Sequence, residues 1–529
     1  MNTNANFDFN KATPVDPLER TGRLGGGLIA DIRRRIPFYI DDFRAGLSIK
    51  VLGSVSFLFF ACLANAIAFG GLTSVITGGQ IGTVEMIVAT AVGGVIFALL
   101  SGQPLTLLGG TGPIVIFTGL LYGLCQSQGL PFLPVYAWVG IWSGIFLIML
   151  TLIDASSLMQ FFTRFVDEIF AALVACIFII EAVVSMTSPL LEENRNNATA
   201  LMTIVLALGT FMFARSFKSF QQSRYLHRKL REIISDFGPA LAIALMTLFA
   251  LSMPEVPVER AAIPEDFGTT TGRPWVVDIF AMPLWVILGS IGPAMLVTVL
   301  LFLDQNITTR LVNSPLHALR KGPGYHLDLL IVGIMTTVFS VFGLPWIVAA
   351  TVHSLNHVKS LATTSTADPE TGEAERIISV RENRVSGLAI HALIASSILL
   401  LPLIKAIPME VLFGLFLFMG FSTLNGTDLF NRVRLWITDS KLYPQSHYVN
   451  KVPLRVIHLF TFIQVASLGL LWVLKSSPAG ILFPLLIALL VPLRYWLANW
   501  FSSEHIELLD SEEEKDKRID EDALADFRP

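Results

Sequence analysis

Mostly apolar stretches of about 17 to 25 residues recur along this chain, and that is the length an α-helix needs to cross the hydrocarbon core of a bilayer. Of its 529 residues, 53% are hydrophobic and 15% charged, whereas a water-soluble chain carries about a quarter charged residues. Much of the surface must therefore be solvated by lipid. Lipid offers no partners to backbone polar groups, which leaves helices as the building blocks for runs of this length. The chain reads as an all-α polytopic membrane protein. No Gly-rich nucleotide-binding turn, GxSxG elbow or metal-ligand cluster accompanies the apolar runs, so neither an enzyme, a cofactor nor a nucleic-acid partner is expected.

Apolar runs bounded by turn and charge signals fall near 46–69, 84–101, 112–126, 132–153, 167–188, 199–215 and 235–253. A second set falls near 282–306, 326–343, 348–362, 384–404, 409–427, 455–475 and 479–500. Seven and seven make 14 expected transmembrane segments. With an odd number per half, the second half enters the membrane from the opposite side, as in inverted-repeat transporters. The expected organisation is a cytoplasmic tail over 1–45, one repeat over 46–253, an external loop over 254–281, an inverted repeat over 282–500 and an acidic cytoplasmic tail over 501–529.

Charge supports that count. Lys218, Arg224, Arg228, Lys229 and Arg231 crowd one loop, Arg310, Arg320 and Lys321 another, and Arg432, Arg434, Lys441, Lys451 and Arg455 a third. Together with Arg33, Arg34 and Arg35 they fall on one side, which the positive-inside rule makes cytoplasmic. The loop from Pro254 to Asp278 instead carries Glu255, Glu259, Glu265 and Asp266. Residues 1–45 lack an apolar core behind a basic start, so no cleavable signal peptide is expected. A multi-pass cell-membrane protein with both termini in the cytoplasm follows. Asn197-Ala198-Thr199 matches a glycosylation sequon placed in an external loop, and TADPETGEAER reads as an exposed connection between Thr364 and Asn383.

Two segments break the apolar pattern at membrane depth. Pro104 precedes LTLLGG and then Thr111-Gly112-Pro113, and Gly343-Leu344-Pro345 precedes WIVAAT. Thr followed by Gly-Pro reads as an N-cap with proline in the first turn. Each break lies in the third position of its half, a pairing that points to a binding site at a repeat interface. Half-helices beginning near Thr111 and Ala349 would aim free N–H groups and positive dipole ends at each other, which favours an anion without any formal positive charge.

Ionisable residues at the same depth add to this. Asp304 ends the run LWVILGSIGPAMLVTVLLFLD, where it is either functional or simply the end of a helix. Thr308 lies one helical turn on, and carboxylate plus hydroxyl oxygens suit a small hard cation such as sodium. His353 sits inside the second half-helix and adds charge only if protonated. Glu181 is either a titrating or gating group or a structural hydrogen-bond partner.

These stretches carry a family resemblance. SGQPLTLLGGTGPIVIF, FTRFVDEIFAALVACIFIIEA, FLDQNITTRLV, KGPGYHLDLLIVG, FGLPWIVAATVHSLNHVKSL and IPMEVLFGLFLFMG, in this order, resemble the solute carrier 4 bicarbonate transporter family across almost the whole chain. The resemblance implies a uracil-permease-like fold of two inverted seven-span repeats, divided into core and gate domains and dimeric through the gate, with half-helices at spans 3 and 10. It places Thr111 and Gly112, together with Val348, Ala349 and Thr351, at the anion site, and Asp304 and Thr308 at a sodium site, with no other metal.

Departures within the family bear on the substrate. Its anion exchangers have Glu at the position of Asp304 and Arg at that of His353, whereas its sodium-coupled bicarbonate and carbonate carriers have Asp and no Arg. The expectation is therefore a secondary transporter of bicarbonate or carbonate with sodium as co-substrate; chloride/bicarbonate exchange and borate transport are the alternatives. Thr118 stands where animal members usually have Glu. Only about 45 residues precede the first span, so a minimal, bacterial member is expected.

Overall fold

The computed structural model describes residues 18–191, 196–220, 223–260, 267–364, 377–425, 427–439, 442–444, 447–477 and 479–510. In chain order the helices and strands used below are α1 (Gly26–Arg35), α2 (Ile49–Ile76), α3 (Thr83–Leu100), β1 (Leu108–Gly109), α4 (Gly112–Ser127), α5 (Phe132–Leu152), α6 (Arg164–Leu191) and α7 (Asn197–Ser219). They continue with α8 (Gly238–Leu251), α9 (Ile291–Val312), α10 (Tyr325–Val341), β2 (Val348–Ala349), α11 (Thr351–Leu361), β3 (Ala362–Thr364) and β4 (Ile377–Val380). The last are α12 (Val385–Ser396), α13 (Met409–Leu424), α14 (Leu454–Lys475) and α15 (Phe483–Leu497). Among the described residues, nine helices are long and apolar enough to cross a membrane, and α4, α8 and α10 are shorter apolar helices. Each expected apolar run overlaps a helix, the one near 348–362 opening in β2.

Local sequence explains the lengths. Ser48 caps α2 by accepting from the Val51 amide, and Thr73 donates back to the Phe69 carbonyl, which keeps its hydroxyl satisfied without water. At 28 residues α2 is roughly 42 Å long, more than a bilayer core. The run expected near 384–404 forms one span over Val385–Lys405, with a 3₁₀ turn over Ser397–Leu400 in it. Three expectations need correction. The helix holding Asp304 does not end there but runs on to Val312, so this carboxylate is not a helix-end marker. The sequon opens α7 instead of lying in a loop, because Asn196 caps that helix. The connection after Thr364 begins and ends in the antiparallel pair β3–β4, while residues 366–376 of TADPETGEAER lie outside the described residues, as do 511–529 of the acidic tail.

Packing sorts the helices into two sets, each drawn from both halves of the chain. In one set α10 packs along α5, α12 along α3 and α2, and α9 against α5. In the other, α13 packs against α6 and α7, α8 against α7, and α14 against α6. The site described below sits in the first set and faces the second.

Charged residues close the two ends. At one end Asp42 is fully buried, with Lys321 Nζ 2.7 Å, Arg35 Nη2 3.1 Å and Arg384 Nε 3.2 Å from its carboxylate. Arg34 donates to the Pro323 carbonyl, and Arg310 pairs with Asp167 across the two sets. The N-terminal arginines and the Arg310–Lys321 loop therefore share one end, as their charge pattern requires. At the other end Glu85 accepts from Thr270 N, Thr270 Oγ1 and Gly82 N, and Arg273 donates to the Gly343 carbonyl. Gly343 has φ +59°, where a side chain is strained, and a β-carbon there would lie 2.7 Å from the Arg273 guanidinium and displace it, so this turn favours glycine.

α1 is fastened by reciprocal capping. Asp31 accepts from the first amides of α10, His326 N and Leu327 N, while Asp154 accepts from Gly27 N at the start of α1. Burial, acting against Arg34 and the two amides, pushes the Asp31 carboxyl up to about 6. A carboxyl raised in the fold contributes stability fully below its ordinary pKa of 3.8 and loses it as pH rises through about 6. Asp31→Asn, neutral throughout, is expected to flatten the dependence of the melting temperature on pH over that window. Asp42→Asn leaves Arg35, Lys321 and Arg384 facing a neutral amide, and is expected to cost about 3 kcal/mol or more in thermal unfolding of the purified protein.

Candidate binding site at the paired helix breaks

The two breaks meet. β1 pairs antiparallel with β2, Leu108 opposite Ala349 and Gly109 opposite Val348. A helix leaves each two-residue strand, so the N-termini of α4 and α11 come together in the interior. Asparagine, serine and histidine side chains satisfy the peptide groups around the first strand. Asp328 accepts from Gly102 N and Gln103 N, and His357 Nδ1 lies 2.8 Å from the Leu105 carbonyl. Ser354 Oγ accepts from Leu107 N at 2.9 Å, while Ala350 N donates to Leu107 O at 2.8 Å. His391 Nε2 lies 3.5 Å from Leu108 O, and Asn65 Nδ2 donates to Gly110 O at 3.2 Å. On the second strand Ala349 N donates to Gln305 Oε1 at 3.0 Å. Ahead of it, Tyr136 holds Leu344 O and Trp346 N with its hydroxyl and stacks on the Trp346 ring at 4.1 Å.

Helix α9 touches both helix N-termini, one turn apart. Asp304 Oδ2 accepts from Thr111 Oγ1 at 2.6 Å, and Thr308 Oγ1 lies 2.6 Å from Thr351 Oγ1 and 3.3 Å from the Ala349 carbonyl. Thr111 occupies the N-cap position of α4, yet its hydroxyl does not cap the helix; it turns to Asp304 instead. The first free amides of α4 are left without a side-chain acceptor. α11 begins at Thr351 with Ala350 as N-cap, and Ala349, expected at the helix start, belongs to the strand. Asp304 is 6% exposed. Among the described residues it has no Lys, Arg or His partner, and its Oδ1 accepts no hydrogen bond.

The structure thus brings Thr111, Gly112, Val348, Ala349, Thr351, Asp304 and Thr308 together. His353 follows on α11, but its Nε2 lies 3.2 Å from the Ala61 carbonyl of α2, which requires a donating N–H there. Glu181 pairs with Lys475 at 3.5 Å, and Thr118 donates back to the Ile114 carbonyl within its own helix. Several residues at the breaks carry no sequence signal of their own: Asn65 lies in an apolar stretch of α2, and Gln305, Ser354 and His357 lie in mixed polar stretches where nothing singles them out. Phe178 is another. A β-carbon at Gly112 would lie 3.2 Å from its ring, and Phe178 stacks on Phe416, so α6 and α13 of the second set bring an aromatic wall to the N-terminus of α4.

Comparison with known proteins gives consistent matches. The model of the HCO3- transporter integral membrane domain matches residues 23–195 and 187–514. The human band 3 anion transport protein is 38% identical over 526 residues, 95% of this chain and 58% of that protein. The mouse electroneutral sodium bicarbonate exchanger 1 is 37% identical over 563 residues, 93% of this chain and 52% of that protein. The chain therefore spans between half and three-fifths of the length of these relatives. Among solved structures, the transmembrane domain of a cyanobacterium bicarbonate transporter, BicA, aligns with TM-score 0.55 at 16% identity, covering 80% of this chain and 97% of that one. The murine solute carrier 26 family member A9 anion transporter, in its inward-facing state, aligns with TM-score 0.56 at 13% identity, covering 93% and 74%. At such identities the two structures speak for the fold alone.

Ser354→Ala removes the buried hydroxyl that accepts from Leu107 N. The loss is expected to be about 1–3 kcal/mol. It should appear as a lower melting temperature together with faster amide exchange around Leu107.

Proposed function

We propose that this chain, which belongs to the solute carrier 4 bicarbonate transporter family, is a secondary transporter that carries bicarbonate or carbonate together with sodium by alternating access. One observation carries the sodium half: Asp304, buried within a membrane helix, has no cationic partner among the described residues. A carboxylate at that depth costs several kcal/mol unless its charge is matched. The hydroxyls of Thr308 and Thr351 and the Ala349 carbonyl gather within one turn of it. These are hard oxygen donors, suited to an alkali cation. The anion lies beside it, at the free amides of α4 and α11, where the helix dipoles favour negative charge. Each ion lowers the desolvation cost of the other, so the two move together.

In this reading the 14 segments form two inverted seven-span repeats. The two packing sets act as core and gate, and the core carries the site past the aromatic wall of the gate. The working unit is a homodimer in the cell membrane, surrounded by lipid and with both termini cytoplasmic. The contact of His353 Nε2 with the Ala61 carbonyl needs only an N–H there, which a neutral imidazole and an imidazolium both supply, so the exchanger alternative is decided by flux.

Inorganic-carbon flux into proteoliposomes, followed by internal pH in chloride-free buffer with and without a sodium gradient, tests this. Flux is expected to require sodium and ignore chloride. In Asp304→Asn the sodium-dependent flux is expected to vanish while the protein remains folded; retained sodium coupling would overturn the cation assignment. Flux that requires trans chloride and disappears in His353→Ala would establish exchange instead, and silence in both would make borate the next substrate to assay.

A further inference from the structure

No sequence pattern marks Asn65, which sits in the apolar stretch FFACLANAIAFGG of α2 and is 6% exposed. A carboxamide at this depth of a membrane helix is costly unless its polar atoms find protein partners. Its Nδ2 donates to the Gly110 carbonyl, one residue before the N-cap of α4. It reaches that carbonyl over the bare α-carbon of Gly109: a β-carbon there would lie 3.2 Å from Nδ2. Exactly four residues earlier on the same helix, the Ala61 carbonyl faces His353 Nε2 of α11. One turn of α2 therefore touches both broken segments.

We infer that Asn65 is a positioning residue for the anion half of the site, an inference that rests on the transport reading above. The Thr111 carbonyl is taken up by the Val115 amide within α4, so the Gly110 carbonyl is the last one outside that helix's own ladder, and unengaged it would present a negative dipole end to any anion held there. Thr111 offers it no donor, because its hydroxyl is committed to Asp304. Asn65 supplies that donor, so the carbonyl is drawn toward α2 and the amides of Gly112 and Ile114 meet the anion unopposed. Asn65 itself need not touch the substrate. Its effect is on the affinity for the anion and not on the rate of the conformational cycle.

The test compares Asn65→Ala and the isosteric Asn65→Asp with the unaltered protein in two measurements. The first is the dependence of proteoliposome flux on inorganic-carbon concentration at saturating sodium. The second is hydrogen exchange of the backbone over 105–118. In Asn65→Ala the KM for inorganic carbon is expected to rise roughly three- to tenfold with the maximal rate within about twofold, the loss appropriate to one hydrogen bond. Asn65→Asp, which cannot donate when ionised, is expected to rise further. Exchange around Gly112 and Ile114 is expected to quicken in both variants. A reduced maximal rate at unchanged KM would make Asn65 a packing residue and overturn the inference. If the unaltered protein moves no inorganic carbon, it is the transport reading that fails, and exchange then decides alone: faster exchange near Gly112 upholds the positioning role and unchanged exchange overturns it. Should Asn65→Ala not fold, Asn65→Asp carries both measurements.

Discussion

The two-residue pairing of β1 with β2 is the interaction on which the rest of the structure depends. Breaking a helix in hydrocarbon frees peptide groups that lipid cannot satisfy. Here each break satisfies part of the other, and the remainder falls to side chains on neighbouring helices: Asn65 on α2, Gln305 on α9, Ser354 and His357 on α11. Those side chains reach their targets only if their helices lie close to the crossing point. The placement of α2, α9 and α12 around the breaks is in this sense a requirement of hydrogen bonding, and the close contact of Gly102 with Gly324 belongs to the same economy of space.

Much of this was legible in the sequence, for physical reasons. Apolar runs of bilayer length announce helices, and Thr111-Gly112-Pro113 announces a helix start whatever precedes it. Asp304 stood out because a carboxylate among leucines is expensive. The destination of the Thr111 hydroxyl was not legible, since capping its own helix and reaching Asp304 use the same residue. The extent of α9 was missed because DQNITT is polar by composition; only the fold shows that these side chains point into protein. Asn65, a single polar residue in an apolar stretch, and Gln305 and Ser354, each one polar residue among several, were hidden for a related reason: their meaning depends on a partner far away in the chain.

Charge plays a separate part at the two ends. Asp31, Asp42, Asp154 and Asp328 all accept from amides or cations of distant segments at one end, so residues 18–48 form part of the packed structure there and are not a loose leader to it. Glu85 and Arg273 do the corresponding work at the other end. The Arg310–Asp167 pair differs from these, because it joins the two packing sets. It lies where any sliding of one set against the other must be felt.

The pairing of Leu108 with Ala349 also has a consequence for how the chain is made. Its partners are separated by roughly 240 residues, which a ribosome needs ~10–50 s to synthesise. Over that interval the first break is already in the membrane and its strand has no mate. Of the side chains that serve it later, Asn65 is made before the wait begins and Asp328 only near its end, while Ser354, His357 and His391 arrive after β2. The nascent first half must therefore hold its unpaired peptide groups against water or against the insertion machinery, and the pairing of the two breaks waits for the synthesis of β2.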